Sequence, residues 1–300
     1  MNAAEPSLSQ REAMFQAAAK LRRSRERRHR IKITIIAIIL LAWAFFTVVP
    51  LYWMVVTSFT DASDSASLQP SWIPLKPSLE PYRRFLSKGM AGRWLLNSLI
   101  VAGSITAFNV LFASMAGYAF AKLEFPGRDR VFWLLLTTMM IPSHVTLIPM
   151  YILMINTLNI GDTYTVLIIP FVCTVNNVFL MKQFMSTLPS TLIEAGRIDA
   201  CSEFGIYRKI ILPLAKPGLA VVAIFTFVTF WNIFFWPFLV TSSSSMRTIQ
   251  VGLATFRYAE TTDFGAMMAG ATIASLPVVI LFFSLQRYFL QGVTVGAIKG

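Results

Sequence analysis

Six stretches of this chain, approximately residues 33–56, 95–121, 131–154, 163–181, 218–241 and 264–286, are apolar over the length of about 20 residues that a helix needs to cross a hydrocarbon core about 30 Å thick. Lipid offers no partner to backbone N–H and C=O groups, so a spanning segment must satisfy them within itself or within a closed barrel. The barrel's alternation of apolar and polar residues is absent from these stretches. An all-α, polytopic membrane protein with six transmembrane helices is therefore expected. Composition agrees: 13% of the residues are charged and 56% are hydrophobic, with a mean hydropathy of +0.63, whereas a soluble domain carries about 25% charged residues.

Orientation follows from the basic residues. With the N-terminus in the cytoplasm, nineteen of the 26 Lys and Arg fall on the inside and seven on the outside, which places both termini in the cytoplasm by the positive-inside rule. Lys76, Arg83, Arg84, Lys88 and Arg93, all in the first outer loop, run against this rule. Much of the net charge of +12 sits in KLRRSRERRHRIK, residues 20–32, directly before the first span. A basic run there orients the span and touches anionic lipid headgroups, so a membrane-lipid partner is expected and a nucleic-acid partner is not. Residues 1–32 form a cytoplasmic basic segment and residues 33–300 the membrane domain. No small-residue cleavage site follows 33–56, which is taken as a retained span.

The chain carries little catalytic chemistry. Cys173 falls inside the fourth span and Cys201 in a loop, so no disulfide framework is expected. The histidines, His29 and His144, have no Cys, His or carboxylate at ligand spacing, so no metal site is expected. His144 is the one ionisable side chain deep in an apolar stretch and so a functional candidate, but it follows Pro142 and Ser143, where a kinked helix would free backbone carbonyls for it to bond instead. All fourteen Asp and Glu fall in loops, tails or span ends. Proton-coupled carriers place carboxylates within the membrane, so energy must come from elsewhere and a secondary transporter is disfavoured. No phosphate loop ending in Gly-Lys-Ser or Gly-Lys-Thr occurs, and no Ser/His/acid or Cys/His set points to an enzyme.

Polar residues within the spans leave two readings open. Asn176, Asn177, Trp231 and Asn232 either line a polar path for a hydroxylated solute or bond between helices. Ala266, Gly270 and Ala274, four residues apart, allow close helix approach, and Pro50, Pro142, Pro149, Pro170, Pro237 and Pro277 imply kinks.

The most informative segment is EAGRIDACSEFGIYRKIILPLAKP, residues 194–217, polar and charged between apolar stretches. Thr191 followed by Glu194 has the spacing of a capping box, so a short helix starts near Pro189 and Ser190, with Ile193, Arg197, Ile198 and Cys201 on related faces. Gly205 permits a turn in which φ is positive, and a second short helix runs through Tyr207, Ile210 and Ile211 until Pro213. On local physics alone this is also the pattern of an amphipathic hairpin lying on headgroups, with Glu194 only a cap.

At these residues the chain resembles the EAA loop of ABC importer permeases, in which Glu-Ala-Ala is followed by Asp-Gly-Ala and an Ile-x-Leu-Pro ending. Glu194, Ala195, Asp199, Ile210, Leu212 and Pro213 stand at matching places, while Gly196 replaces the third Ala and Ala200 the usual Gly. AGYAFAKLEFPGRDRVFWLLLTTMMIP (116–142), the TLIPMYILM run after it and the C-terminal QRYFLQGVTVGAIKG extend the resemblance to the shorter six-span permease of the maltose-type, carbohydrate-uptake family, over roughly 33–300.

The resemblance implies a non-catalytic subunit of an importer in a bacterial or archaeal cytoplasmic membrane. It implies a second, homologous permease, two ATP-binding subunits that hold the ATP and Mg, and an extracytoplasmic solute-binding protein. This chain itself is expected to bind no cofactor. Glu194, Ala195, Gly196, Asp199, Ala200, Gly205, Ile210, Leu212 and Pro213 are then expected to dock on an ATPase subunit. Gly292, Gly296 and Lys299 of the tail are expected to reach the ATPase interface. The outer loop 242–263, made flexible by its Ser run, is expected to contact the binding protein through Arg247, Phe256, Arg257 and Tyr258, the alternative being a surface loop that packs on its own bundle and covers helix ends. A sugar is the expected solute, with glycerol phosphate, amino acids or polyamines as alternatives on the same fold.

Overall fold

A computed structural model describes residues 8–60, 72–73, 76–87, 90–259 and 263–297, with the side chains of 8–26, 257–259 and 288–297 outside the description. The described residues are helical with no strand, and they divide into two units, residues 1–56 and 57–300.

The described residues of the first unit lie in one helix, which runs two residues on into the second. α1 spans Leu8–Ser58 and includes Pro50, so the boundary expected at residue 32 falls inside a continuous helix. Its apolar part is exposed along its length, with Trp43 and Phe46 among the most exposed side chains. Apolar residues all round a helix mark a lipid-facing span rather than an amphipathic surface helix.

The second unit contains the other spans. A short helix, α2 (Glu80–Ser87), precedes α3 (Ala91–Lys122), a single span. α4 (Arg128–Thr138) and α5 (Ser143–Tyr151, continued by a wider π turn to Thr157) form a span broken by 88°. The break falls where Pro142 disfavours helix for the residue before it. α6 (Tyr164–Ile168), a 3₁₀ turn to Phe171 and α7 (Val175–Ser186) form a second broken span, bent by 42°. α8 (Thr191–Ile198) and α9 (Glu203–Ile206) build the polar insert, and the chain winds on through Leu214 before a 77° bend into α10 (Lys216–Asn232). α11 (Phe235–Val240), α12 (Ile249–Ala259) and α13 (Phe264–Ala297, including Pro277) complete the chain. Among the described residues three helices are long and apolar enough to cross a membrane, and the three bent pairs bring the number to six if each is one span; the stretch expected as the fifth span, 218–241, is divided between α10 and α11 by a break after Asn232.

α3 is the central element, packed along α7 and α10, while α10 also packs on α13. Gly117 makes the closest approach possible: a Cβ there would stand 2.6 Å from Met181 Cβ and 2.9 Å from the Lys182 backbone nitrogen of α7. No other residue type fits. Two apolar cores result. One gathers Trp94, Ile105, Trp231, Trp236 and Phe256; the other, at the insert end, gathers Tyr118, Met181, Met185, Ile193, Ile206 and Ile211.

The broken span α6–α7 shows how irregular backbone is tolerated at membrane depth. Asn109 of α3, fully buried, donates to the Ile105 carbonyl at 3.0 Å and the Phe171 carbonyl at 2.6 Å. Its Oδ1 accepts from the Thr174 backbone nitrogen at 2.9 Å, the Thr174 hydroxyl at 3.1 Å and Asn177 Nδ2 at 2.9 Å. Asn177 donates onward to Thr226 Oγ1 of α10 at 2.8 Å. A neighbouring side chain thus takes the backbone groups that the break releases, as membrane helices require.

Candidate functional site

The insert begins where α7 ends. Lys122, the last residue of α3, donates from Nζ to the Leu188 carbonyl at 2.5 Å and to Ser190 Oγ at 3.3 Å, tying the turn before α8 to the end of a span. α8 starts at Thr191, as its sequence suggests, but the capping box is not formed: Ser190 occupies the cap with no side-chain bond, and Glu194 is exposed. Ile193 and Gly196 face inward, on the same side at a spacing of three, whereas Glu194, Ala195, Arg197 and Ile198 face outward.

The turn lies at Ala200, not at Gly205. Ala200 has φ +55°, and the bonds Cys201 N–H to Gly196 O (3.0 Å) and Ala200 N–H to Arg197 O (3.0 Å) make a Schellman ending to α8. Gly205 instead sits in α9, where its N–H donates to the capping Ser202 Oγ at 3.1 Å. The sharp turn therefore falls at the place of the motif's usual Gly, occupied here by an alanine in the left-handed region. Left-handed backbone costs a residue with a Cβ about 1–2 kcal/mol, partly offset by the entropy that glycine loses on folding. Ala200→Gly is accordingly expected to raise stability by about 0.5–1 kcal/mol. A higher thermal unfolding midpoint of the purified complex checks this, with Ala200→Val, β-branched, expected to move it down.

The underside of the insert is locked onto the spans. Ser114 Oγ and Tyr207 Oη are 2.7 Å apart. Tyr118 Oη donates to Glu203 Oε2 at 3.0 Å, and Arg197 Nε donates to Glu203 Oε1 at 2.8 Å. The hydrogen bond from Arg197 holds the Glu203 carboxyl below its usual range, against the smaller opposing effect of burial, with the Tyr118 hydroxyl adding to it. Gly196 rests on the side chains behind it: a Cβ there would meet Ile210 Cδ1 at 3.0 Å and Ile206 Cγ1 at 3.1 Å.

The nine insert residues expected to dock therefore divide. Glu194, Ala195, Asp199, Ala200 and Pro213 are exposed; Gly205, Ile210 and Leu212 are half-buried; Gly196 is buried and belongs to the packing beneath. The second helix ends at Leu214, one residue beyond Pro213. Three apolar side chains were not singled out in the sequence as parts of this surface: Leu192, Phe204 (61% exposed) and above all Ile198, 85% exposed at the tip of α8. Helical spacing placed Ile193 and Ile198 on related faces, but the tertiary contact separates them.

At the other end of the bundle the loop after α11 is pinned rather than flexible. Trp94 Nε1 donates to the Ser244 carbonyl at 2.8 Å, and Asn97 Nδ2 donates to the carbonyls of Ser245 and Arg247 at 2.8 and 2.9 Å. The Asp162 carboxylate accepts from the backbone nitrogens of Ser242 and Ser243, both at 3.1 Å, and Ser98 Oγ accepts from Ile249 N at the start of α12. Phe256 is a core residue: it is 5% exposed and packs edge-on against Phe85 with ring centroids 5.4 Å apart, so it offers no surface for contact. Arg247 is half-buried, and the backbone of Arg257 and Tyr258 lies in α12 with their side chains outside the described residues. Arg84 of α2 pairs with Asp263 at 2.8 Å, and Asp263 caps α13 through Ala266 N at 3.0 Å.

Of the four polar span residues, Trp231 is 1% exposed, donates to the Ala274 carbonyl at 2.9 Å and stacks on Phe227, which makes it a packing anchor between α10 and α13. Asn177 belongs to the Asn109 network. Asn176 and Asn232 remain exposed, the latter accepting from Gln250 Nε2 at 3.3 Å. Asn97 and Asn109, fully buried on α3, were not singled out in the sequence, although an amide in an apolar run is itself a signal of interhelical bonding. Gly292 and Gly296 lie on the backbone of α13, and Lys299 lies outside the described residues. Among the described residues no group of His, Cys, Asp and Glu is placed to hold a metal.

Residues 109–295 match the family described as the binding-protein-dependent transport system inner membrane component. The chain is 37% identical over 263 residues to an arabinooligosaccharides transport system permease protein, AraQ, of Halalkalibacterium halodurans, covering 86% of this chain and 93% of that protein. It is 35% identical over 203 residues to an sn-glycerol-3-phosphate transport system permease protein, UgpE, of Yersinia pestis, covering 67% and 72%. Its fold matches a chain in the crystal structure of a bacterial ABC transporter involved in the import of the acidic polysaccharide alginate, with a TM-score of 0.77 and 22% identity, covering 87% of this chain and 97% of that one. The family match holds the polar insert and the helices from the second half of α3 onward, and the chain belongs to the binding-protein-dependent transport system inner membrane component family, as an ABC importer permease.

Proposed function

We propose that this permease carries a sugar or oligosaccharide, and that its insert is the part through which ATP hydrolysis in partner subunits drives it. One observation carries the coupling reading. Ile198 is 85% exposed on a helix whose opposite face is locked by Ile193, Gly196 and the Glu203 network. An apolar tip beside Glu194 and Phe204 on a rigid base suits burial in the groove of another protein. In this reading Glu194, Ala195, Asp199 and Ala200, with Leu192, Ile198 and Phe204, touch one of two ATP-binding subunits, which hold the ATP and Mg. The insert end and both termini then lie in the cytoplasm, as the charge distribution favours. A second, homologous permease supplies the other half of the path, and the end carrying residues 242–259 receives the binding protein. Of the four span residues expected to line a path, Asn176 and Asn232 are the two left for a solute. A coupling insert and a distant solute site in one bistable bundle are linked when each state offers different contacts at both places.

The sugar reading rests on the oligosaccharide permease among the relatives, and the glycerol-phosphate permease supports a polyol phosphate as the second reading. The test is to purify the membrane complex through this chain, identify the co-purifying extracytoplasmic protein and measure its binding of labelled oligosaccharides and of glycerol 3-phosphate. Oligosaccharide binding supports the proposal, whereas binding of glycerol phosphate alone overturns the sugar reading.

A further inference from the structure

We infer that the cleft between α3, α4 and α7 is a binding site for one anionic glycerophospholipid. The inference rests on the chain crossing a bilayer and is independent of which solute it carries. The cleft holds about 450 Å³ and is lined by Phe120 and Ala121 near the end of α3, by Arg128, Asp129, Phe132, Trp133 and Leu136 of α4, and by Phe179, Lys182, Gln183 and Ser186 of α7. Three spans end around it, so it lies where hydrocarbon meets headgroups.

The walls are graded in polarity, and the two gradients agree. Along α4, Arg128 and Asp129 at the start give way to Phe132 and Trp133 one turn in and Leu136 a further turn in. Along α7, which runs the opposite way, Ser186, Gln183 and Lys182 near the end give way to Phe179 one turn deeper. A polar end therefore faces the bilayer surface and an aromatic, then aliphatic, end faces the hydrocarbon. A free anion has no use for the apolar half, and a neutral apolar ligand has no use for the cations. A phospholipid needs both.

Charge selects the headgroup. Lys182 Nζ stands 5.0 Å from the centre of the Phe132 ring, a cation–π contact that holds the ammonium in place and leaves its N–H groups for an anion. Arg128 spends Nε on Asp129 Oδ1 at 3.0 Å and Nη1 on the Leu123 carbonyl at 3.2 Å, so its guanidinium is fixed with one nitrogen still unspent. Basic pockets between spans at this depth recognise anionic lipid headgroups. Trp133, 67% exposed, offers an amphipathic ring of the kind that settles at the headgroup level.

The test uses the assembled complex in nanodiscs, with phosphatidylglycerol and phosphatidylcholine of matched acyl chains as probes. Native mass spectrometry after release from the disc is expected to show phosphatidylglycerol retained in preference to phosphatidylcholine. Lys182→Gln should weaken that retention about fivefold, as should Arg128→Gln, the scale set by one surface charge on an anionic membrane. Lys182→Arg, which keeps the charge, should restore it, and Lys209→Gln, which removes an exposed cation elsewhere at the same end, should leave it unchanged. Equal retention of the two lipids, or retention unaltered in Lys182→Gln, overturns the site. Displacement of the lipid by inorganic phosphate overturns the lipid assignment in favour of a plain anion site.

Discussion

A complex carrying Ile198→Asp is expected to assemble in the membrane and to lose the rise in ATP hydrolysis that loaded binding protein produces. Ile198 is 85% exposed at the tip of α8, so its replacement disturbs no contact within this chain. On the proposed docking surface the same residue is buried by a partner. Withdrawing an isoleucine side chain from a protein groove forfeits about 2–3 kcal/mol. Placing a carboxylate there without a partner adds about 2 kcal/mol or more. Together these weaken docking about a thousandfold. Glu194→Lys should act in the same direction, since truncating or reversing one member of a partly buried charge pair costs about 3–5 kcal/mol, against about 1 kcal/mol for a lost helix cap. Because Glu194 forms no cap bond within the chain, a large effect of Glu194→Lys reports the partner. ATP hydrolysis and uptake are measured in proteoliposomes, with Ile193→Asp as a contrast. Ile193 is 3% exposed in the core beneath the insert, so that variant should fail to accumulate. If Ile198→Asp retains full stimulation of hydrolysis and full uptake, the tip is not the docking surface.

The second large effect is expected from Asn109→Leu. Hydropathy alone ranks leucine as the better residue for a span, so a change guided by composition would be neutral or favourable. The structure reverses the sign. Leucine removes the acceptor of the Thr174 backbone nitrogen, the Thr174 hydroxyl and Asn177, together with the donor to the Phe171 carbonyl, all at the break between α6 and α7. Each buried polar group left without a partner costs about 1–3 kcal/mol, so the variant should lose about 3–5 kcal/mol. A lowered midpoint of thermal unfolding, followed by size exclusion of the solubilised complex, checks this. An unchanged or raised midpoint shows that the break satisfies its backbone without Asn109.

Ile198 and Asn109 are linked through α3. α3 holds α7 through Gly117 and Asn109 and holds the insert through Ser114, Tyr118 and Lys122. A load applied at Ile198 would reach the spans through the Glu203–Tyr118 bond and the Ser114–Tyr207 pair before it reached the broken span. Packed, hydrogen-bonded elements of this kind have few soft joints, and the bends after α4, α6 and Leu214 are where a change of state can concentrate.

The helical membrane class and the place of the insert were legible in the sequence alone, because they depend on local quantities: apolar run length, the positions of charges, and the proline and glycine punctuation. The resemblance to the EAA loop singled out Glu194, Ala195 and Asp199, and all three are exposed. Tertiary structure alone decided which face of α8 is buried. Ile193 and Ile198 are equal as sequence, yet one is sealed against Ile206 and Tyr207 and the other stands free, because the turn at Ala200 folds α9 beneath one side of α8. The same holds at the end opposite the insert, where a run of four serines suggested flexibility and carbonyls of that run are instead fixed by Trp94 and Asn97, some 150 residues earlier in the chain. Phe256 and Trp231, aromatic and so candidates for contact with partner or solute, became core residues because Phe85 of α2 packs edge-on against the first and α13 bonds to the second. Periodicity reports how a segment divides its own surface. It carries no information about which distant segment meets that surface, and in a bundle of bent spans those long-range meetings decide which side chains remain for function.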